Sequence, residues 1–285
     1  MKLPPEPERE IFETAALLYP EMIFKMLLTA RRVHARIEPM LYQTITFGDD
    51  TWDPDITPAW EGLLVAIKSK PSAFLQKHVR HMMVNMYDTR PTTASFISSE
   101  LPEILSSCNQ VHSLILFNSS PSIIPALESA PNVRRLGVFL RDLFGSRVPP
   151  LRVGHPLFAS LTHLEVFDDR SDESVPWPWA DFGLLPELTH LLIYQIYSSG
   201  SIPLLLLASC RKLQVLVDLY SELPLIDVVV EDPRFVLMAM SASEYEAEWR
   251  AGTRGGLDLW DRAAGFVGKR RRGEIKPASR STLLD

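Results

Sequence analysis

Along the middle of the chain, apolar residues recur as apolar-x-x-Leu, starting at Val111, Val133, Leu161, Leu188 and Leu213, with Leu114, Leu136, Leu164, Leu191 and Leu216 three positions later. Two residues further stand Leu116, Val138, Val166 and Ile193, and Asp218 breaks the fifth copy. This alternation predicts strands, since successive side chains on a strand point to opposite faces. The copies start 22, 28, 27 and 25 residues apart, within the roughly 20–29 of a leucine-rich repeat. Val79, Met82 and Val84 form a weaker copy 32 residues upstream of Val111, and "DPRFVLM" at 232–238 offers a closing strand. Between the strands the pattern turns helical. "SSPSIIPALESAP" has a serine cap, a first-turn proline and a terminating proline; "TTASFISSELPEILSSC" and "GSIPLLLLASC" follow the same logic, with Pro102 bending or breaking the former.

One strand-helix unit cannot bury its own apolar face, so successive units must stack with parallel strands on one side and helices on the other. Cys108, Ala130, Phe158, Leu185 and Cys210, each three residues before a repeat, are apolar, as expected where a helix end meets the core. The predicted fold class is α/β: a leucine-rich-repeat-like solenoid over 48–240, with a doubly wound α/β domain as the alternative. If Leu114 and Leu116 face the core, then Ser113, Ile115 and Phe117 face away from it. The same offsets stack Phe117, Phe139, Phe167 and Tyr194 into an aromatic column. Such a column is either a partner-binding surface or the floor beneath a covering segment. Trp177 and Trp179, held apart by prolines in "VPWPWADF", are further candidate partner-binding residues, or rings folded back onto an apolar surface.

Composition narrows the function. With 285 residues, 46% hydrophobic and 22% charged, the chain can bury a substantial core. A net charge of −6 argues against nucleic acid as a partner. The N-terminus lacks a secretion-signal core and "PLLLLA" is too short for a bilayer, so no membrane is expected and a cytoplasmic protein is. "KRRR" at 269–272 with Lys276 is a candidate nuclear import signal, an acidic-partner contact or a solvated helix end. Cys108 and Cys210 read as reduced, buried thiols. No catalytic motif is present, so no enzyme activity and no cofactor are expected. His163, Glu165 and His190 form a histidine pair with one carboxylate, short of the three or four ligands of a zinc site, so no metal is expected.

The two ends differ from the middle. Residues 1–47 carry apolar residues at helical spacing without the repeat; residues 241–285 read as a helical cap and basic tail, with Trp249, Leu257, Trp260 and Phe266 available to pack on the last repeat. "LPPEPEREIF" followed by "LLTARRVHARIEPMLY" resembles a degenerate F-box, with Leu3, Pro4, Glu6, Ile11 and Phe12 at its first part and Thr29, Ala30, Arg31, Arg32 and Val33 at its second. The whole chain, including the tail "YEAEWRAGTRGGLDLWDRAAGFVGKRRRGEI", resembles F-box-like, leucine-rich-repeat-like proteins of mushroom-forming fungi. That resemblance implies a substrate-recognition subunit of a Skp-cullin-F-box ubiquitin ligase. It would hold a Skp-type adaptor through Leu3, Pro4, Ile11 and Phe12 and a protein substrate on its repeats. The alternative is a repeat-domain binding protein whose F-box-like segment has decayed into a cap.

Overall fold

A computed structural model of the chain describes residues 4–48, 59–86, 91–146, 156–168, 177–196, 201–222, 230–275 and 282–283. Leu3 and Lys276 lie outside these residues. The N-terminal helices are α1 (Pro5–Leu18), α2 (Ile23–Leu27) and α3 (Arg31–Gln43). The strands are β1 (Thr44–Gly48), β2 (His81–Asn85), β3 (Ser113–Leu116), β4 (Arg135–Val138), β5 (His163–Val166), β6 (His190–Tyr194), β7 (Val215–Tyr220) and β8 (Phe235–Ala239). Between them lie α4 (Ala59–Lys68), α5 (Ser72–His78), α6 (Pro91–Ser95), α7 (Leu101–Ser107), α8 (Ile124–Glu128), α9 (Leu140–Phe144) and α10 (Ile202–Ser209). Helices α11 (Ala242–Gly252) and α12 (Leu259–Arg271) follow the last strand. Among the described residues no helix is long and apolar enough to cross a membrane.

The eight strands form one all-parallel sheet in sequence order, β1 to β8. Each repeat aligns with the next: Leu114 pairs with Leu136, Leu136 with Leu164, and Leu164 with Leu191. Those leucines, with Met82, Val84, Leu116, Val138, Val166, Ile193 and Phe235, are buried against the connecting helices. The predicted strand phase is therefore the observed one, and the 232–238 stretch supplies the last strand. The expected break at Pro102 is a run of α6, a π-helical turn at Phe96–Glu100, and α7 with Pro102 as its second residue.

Two expectations need revision. The helical segment was bounded at residue 47, yet Thr44–Gly48 pairs along its whole length with His81–Asn85, so the sheet begins inside that segment. Its "TITFG" alternation is too short to stand out beside the adjoining helix. The C-terminal helices were expected to cap the last repeat; α12 does pack on β7 and β8, but together with α11 it reaches further, across the second face of the sheet. There Met83, Ile115, Leu192, Val217 and Val236 meet Tyr245, Trp249, Trp260, Phe266 and Val267. Leu257 does not pack at all, being 74% exposed. Both faces of the sheet are thus covered, one by the connections and one by the chain's own tail.

Candidate functional site

The second face is where repeat offsets align outward-pointing side chains, and its geometry decides whether it can receive a partner. Three rows run across the strands. The first holds Thr44, His81, Ser113, Arg135, His163 and His190; the second holds Met83, Ile115, Gly137, Glu165, Leu192 and Val217; the third is the aromatic column. In the column, Phe117 stacks on Phe167 with centroids 4.7 Å apart, and the Tyr245 ring of α11 stands edge-on to both at 5.8 and 5.5 Å. Phe167 is 7% exposed, while Phe117, Phe139 and Tyr194 are half-buried. Gly137 makes this packing possible, since a Cβ there would stand 2.7 Å from Ile115 and 3.0 Å from Phe167. The column is the floor beneath a covering segment rather than an open surface.

The rows below it hold that segment in place. Glu165, with none of its surface exposed, accepts hydrogen bonds from Arg135 Nε at 2.5 Å, from Trp260 Nε1 at 3.0 Å and from the Tyr245 hydroxyl. Arg135 Nη1 donates to Asp258 Oδ2 at 2.6 Å, and Trp249 Nε1 donates to Ser113 Oγ at 3.0 Å. Asp258 also caps α12 in a reciprocal capping box with Asp261. Burial opposes the Arg135 charge, but Glu165, Tyr245 and Asp258 outweigh it and raise its pKa. Burial, then Glu165, pushes the Tyr245 phenol well above its usual value, so it stays a donor.

His163 and His190 stack at 4.1 Å with their planes 9° apart, beneath the edge of Trp260. Each ring's Nδ1 lies 2.8 Å from the hydroxyl of its neighbouring threonine, Thr162 or Thr189. Burial pushes His163 down to about 3 and His190 to about 4. With Glu165 occupied by three donors, the cluster serves packing, and among the described residues no group of three or more His, Cys, Asp or Glu could hold a metal ion.

Trp177 is buried in the main core, stacks on Trp179 at 5.6 Å and lies under the Arg141 guanidinium. The tryptophan loop therefore folds back rather than presenting an anchor. Cys108 and Cys210 are buried free thiols, Cys108 pushed up to about 12 by burial. Nor is the 269–272 run a free basic string. Arg270 is buried and donates to the carbonyls of Val230, Asp232 and Phe235, and Arg272 pairs with Glu274.

The N-terminal helices present the opposite picture. Ala16, Ile23, Val33 and Ile37 form a small separate core, with Phe12, Met26 and Leu27 packed against it. Arg32 donates to Glu8 at 2.8 Å, holding its carboxyl below the usual range and tying α1 to α3. The module meets the helical layer through α3, where Lys70 Nζ, just before α5, lies 2.6 Å from Glu38 and Tyr42 packs edge-on to Phe74 of α5. Many of its apolar residues stay exposed: Ile11 is 53% exposed, Leu18 66%, Phe24 68% and Leu28 86%, with Leu17, Tyr19 and Met22 also exposed, and Leu17 and Phe24 line a groove shared with Thr253, Arg254 and Gly255.

Of the residues expected to bind an adaptor, Pro4 precedes α1 and Ile11 faces outward, whereas Phe12 packs inward. Leu17, Leu18, Tyr19, Met22, Phe24 and Leu28, which the sequence did not single out, are exposed as Ile11 is. Their signal is the density of "ALLYPEMIFKMLLTA", which carries more apolar residues than three short helices can bury on one side. Isolated exposed apolar residues are ordinary, but this density on one small module makes it a candidate interaction surface. No protein-family model matches the chain, and a comparison with curated proteins finds no match.

Proposed function

We propose that this chain is a protein-interaction scaffold that uses its N-terminal helices to dock on a Skp-type adaptor, as the substrate-recognition subunit of a ubiquitin ligase does. The observation that carries the proposal is the exposure of Ile11, Leu18, Phe24 and Leu28 on a helical module whose own core is formed by Ala16, Ile23, Val33 and Ile37. On this reading the sheet is a leucine-rich-repeat-like solenoid. Sequential parallel strands support that, as does a ladder of polar side chains accepting backbone N–H groups of the preceding unit. Asn118 accepts from Met86 at 2.8 Å, Asp168 from Leu140 at 2.6 Å and from Arg141 at 2.9 Å, and Asp218 from Ile196 at 3.0 Å. The same ladder accounts for Asp218 breaking the apolar pattern.

Co-purification with a Skp-type adaptor tests the proposal. The wild-type chain is expected to capture it, and Leu18→Asp with Phe24→Asp, both on the exposed side, to lose it while keeping the wild-type circular dichroism. A folded wild-type protein that captures no adaptor would favour a repeat-domain binding protein without a ligase.

A further inference from the structure

At the rim where the strands begin, the residues immediately before β2, β3 and β4 are Arg80, His112 and Arg134. The backbone stitches them side by side: His112 N donates to the Arg80 carbonyl at 2.7 Å, and Arg134 N to the His112 carbonyl at 2.9 Å. Adjacent strands lie roughly 4.8 Å apart, so the three span roughly 10 Å. His112 and Arg134 are exposed, as is Lys77 at the end of α5. Several cations elsewhere on the surface are paired with carboxylates: Arg32 with Glu8, Lys68 with Glu100, Lys212 with Glu187 and Arg250 with Glu246. Here they are not. Arg80 donates to the carbonyls of Gln76, Lys77 and Val79, and Arg134 Nη1 to those of Pro131 and Ser160. Among the described residues none of these four side chains has a carboxylate partner.

The two rim histidines register the same field. His78 is lowered by burial, then by Lys77 and Arg80; His112 is lowered by burial, then by Arg80 and Arg134. In a chain of net charge −6, concentrating unmatched cations on guanidiniums already oriented by carbonyls costs repulsion that an anionic partner would relieve.

We infer that this rim is a docking site for an acidic polypeptide segment, contacting Lys77, Arg80, His112 and Arg134. The short row favours a polypeptide over nucleic acid. It offers only a few cations over a single step of sheet, and the acidic remainder of the chain would repel an extended polyanion. The inference does not depend on the adaptor reading, since the rim shares no residue with the exposed face of α1 and α2.

The test uses the full-length protein and a fluorescein-labelled glutamate-rich octapeptide, followed by fluorescence anisotropy. Binding is expected at low salt and should weaken about tenfold between about 0.03 M and about 0.3 M NaCl, where the screening length falls below the width of the row. His112→Glu with Arg134→Glu should weaken it about tenfold or more, Arg134→Lys should retain it, and Lys212→Ala should leave it unchanged. Circular dichroism confirms that each variant is folded. No salt-dependent binding, an unaffected double charge reversal, or tighter binding of a single-stranded oligonucleotide of equal charge would each overturn the inference.

Discussion

Removing the Glu165 carboxylate should release the cover from the second face of the sheet, and the structure gives the size of the effect. Glu165 has no exposed surface and accepts from Arg135, Trp260 and Tyr245. Glu165→Ala leaves the two ring donors without an acceptor and removes half the charge balance of a buried guanidinium. Breaking a buried pair in this way costs about 3–5 kcal/mol, a large share of a total stability of roughly 5–15 kcal/mol. Asp258, 2.6 Å from Arg135, still neutralises it, which places the expected loss toward the lower end of that range. Glu165→Gln keeps the shape and one acceptor oxygen and should cost less, about 1–3 kcal/mol. Urea unfolding followed by circular dichroism measures both. Limited proteolysis should show new cleavage between Thr253 and Leu257, the connection that undocks with α11 and α12. A Glu165→Ala protein within about 1 kcal/mol of wild type would refute the claim that this carboxylate anchors the tail.

Two further outcomes follow from the same face. Phe139→Ser with Phe167→Ser should destabilise the protein by about 3–5 kcal/mol, mostly through Phe167, because a ring packed under Tyr245 is being deleted rather than a surface one; a double variant of unchanged stability would show that the column is open. Burial depresses His81 to about 4, His163 to about 3 and His190 to about 4, so below the ordinary value of 6.5 the unfolded chain binds protons that the folded one does not. Their contribution is complete above about pH 6.5 and declines as pH falls toward 4. Urea midpoints at neutral and mildly acidic pH should therefore differ more for wild type than for His163→Gln with His190→Gln, and equal differences would contradict the assignment.

Most of the strand framework was legible because its rule is local. Each Leu-x-apolar step alternates side chains about a sheet, and Leu114, Leu136, Leu164 and Leu191 consequently fall in one register. The cover was not legible, because its contacts are distant in sequence. Tyr245 reaches Glu165 across 80 residues and Trp249 reaches Ser113 across 136. A clue did exist. Glu165 occupies a strand centre where the neighbouring repeats carry Gly137 and Leu192, and a buried carboxylate needs donors, which the tail's tyrosine and tryptophans can supply. The polar ladder was likewise hidden, because Asn118 and Asp168 stand just past their strands, where polar residues ordinarily read as loop, and Asp218 stands inside β7 as a break in the apolar pattern. The exposed apolar surface of the N-terminal helices was half legible. Helical periodicity located the module, but which of Ile11 and Phe12 faces solvent depends on how α1 rotates against Val33 and Ile37.

The central claim is that partners meet the N-terminal helices, while the aromatic column belongs to the fold. Hydrogen-deuterium exchange on the full chain, with and without a purified Skp-type adaptor, tests it most directly. The account predicts slowed exchange in the segment from Ile11 to Leu28, with the strand ends at Phe117, Phe139, Phe167 and Tyr194 unchanged. Slowed exchange at those strand ends, or at Trp177 and Trp179, with Ile11 to Leu28 unaffected would contradict it.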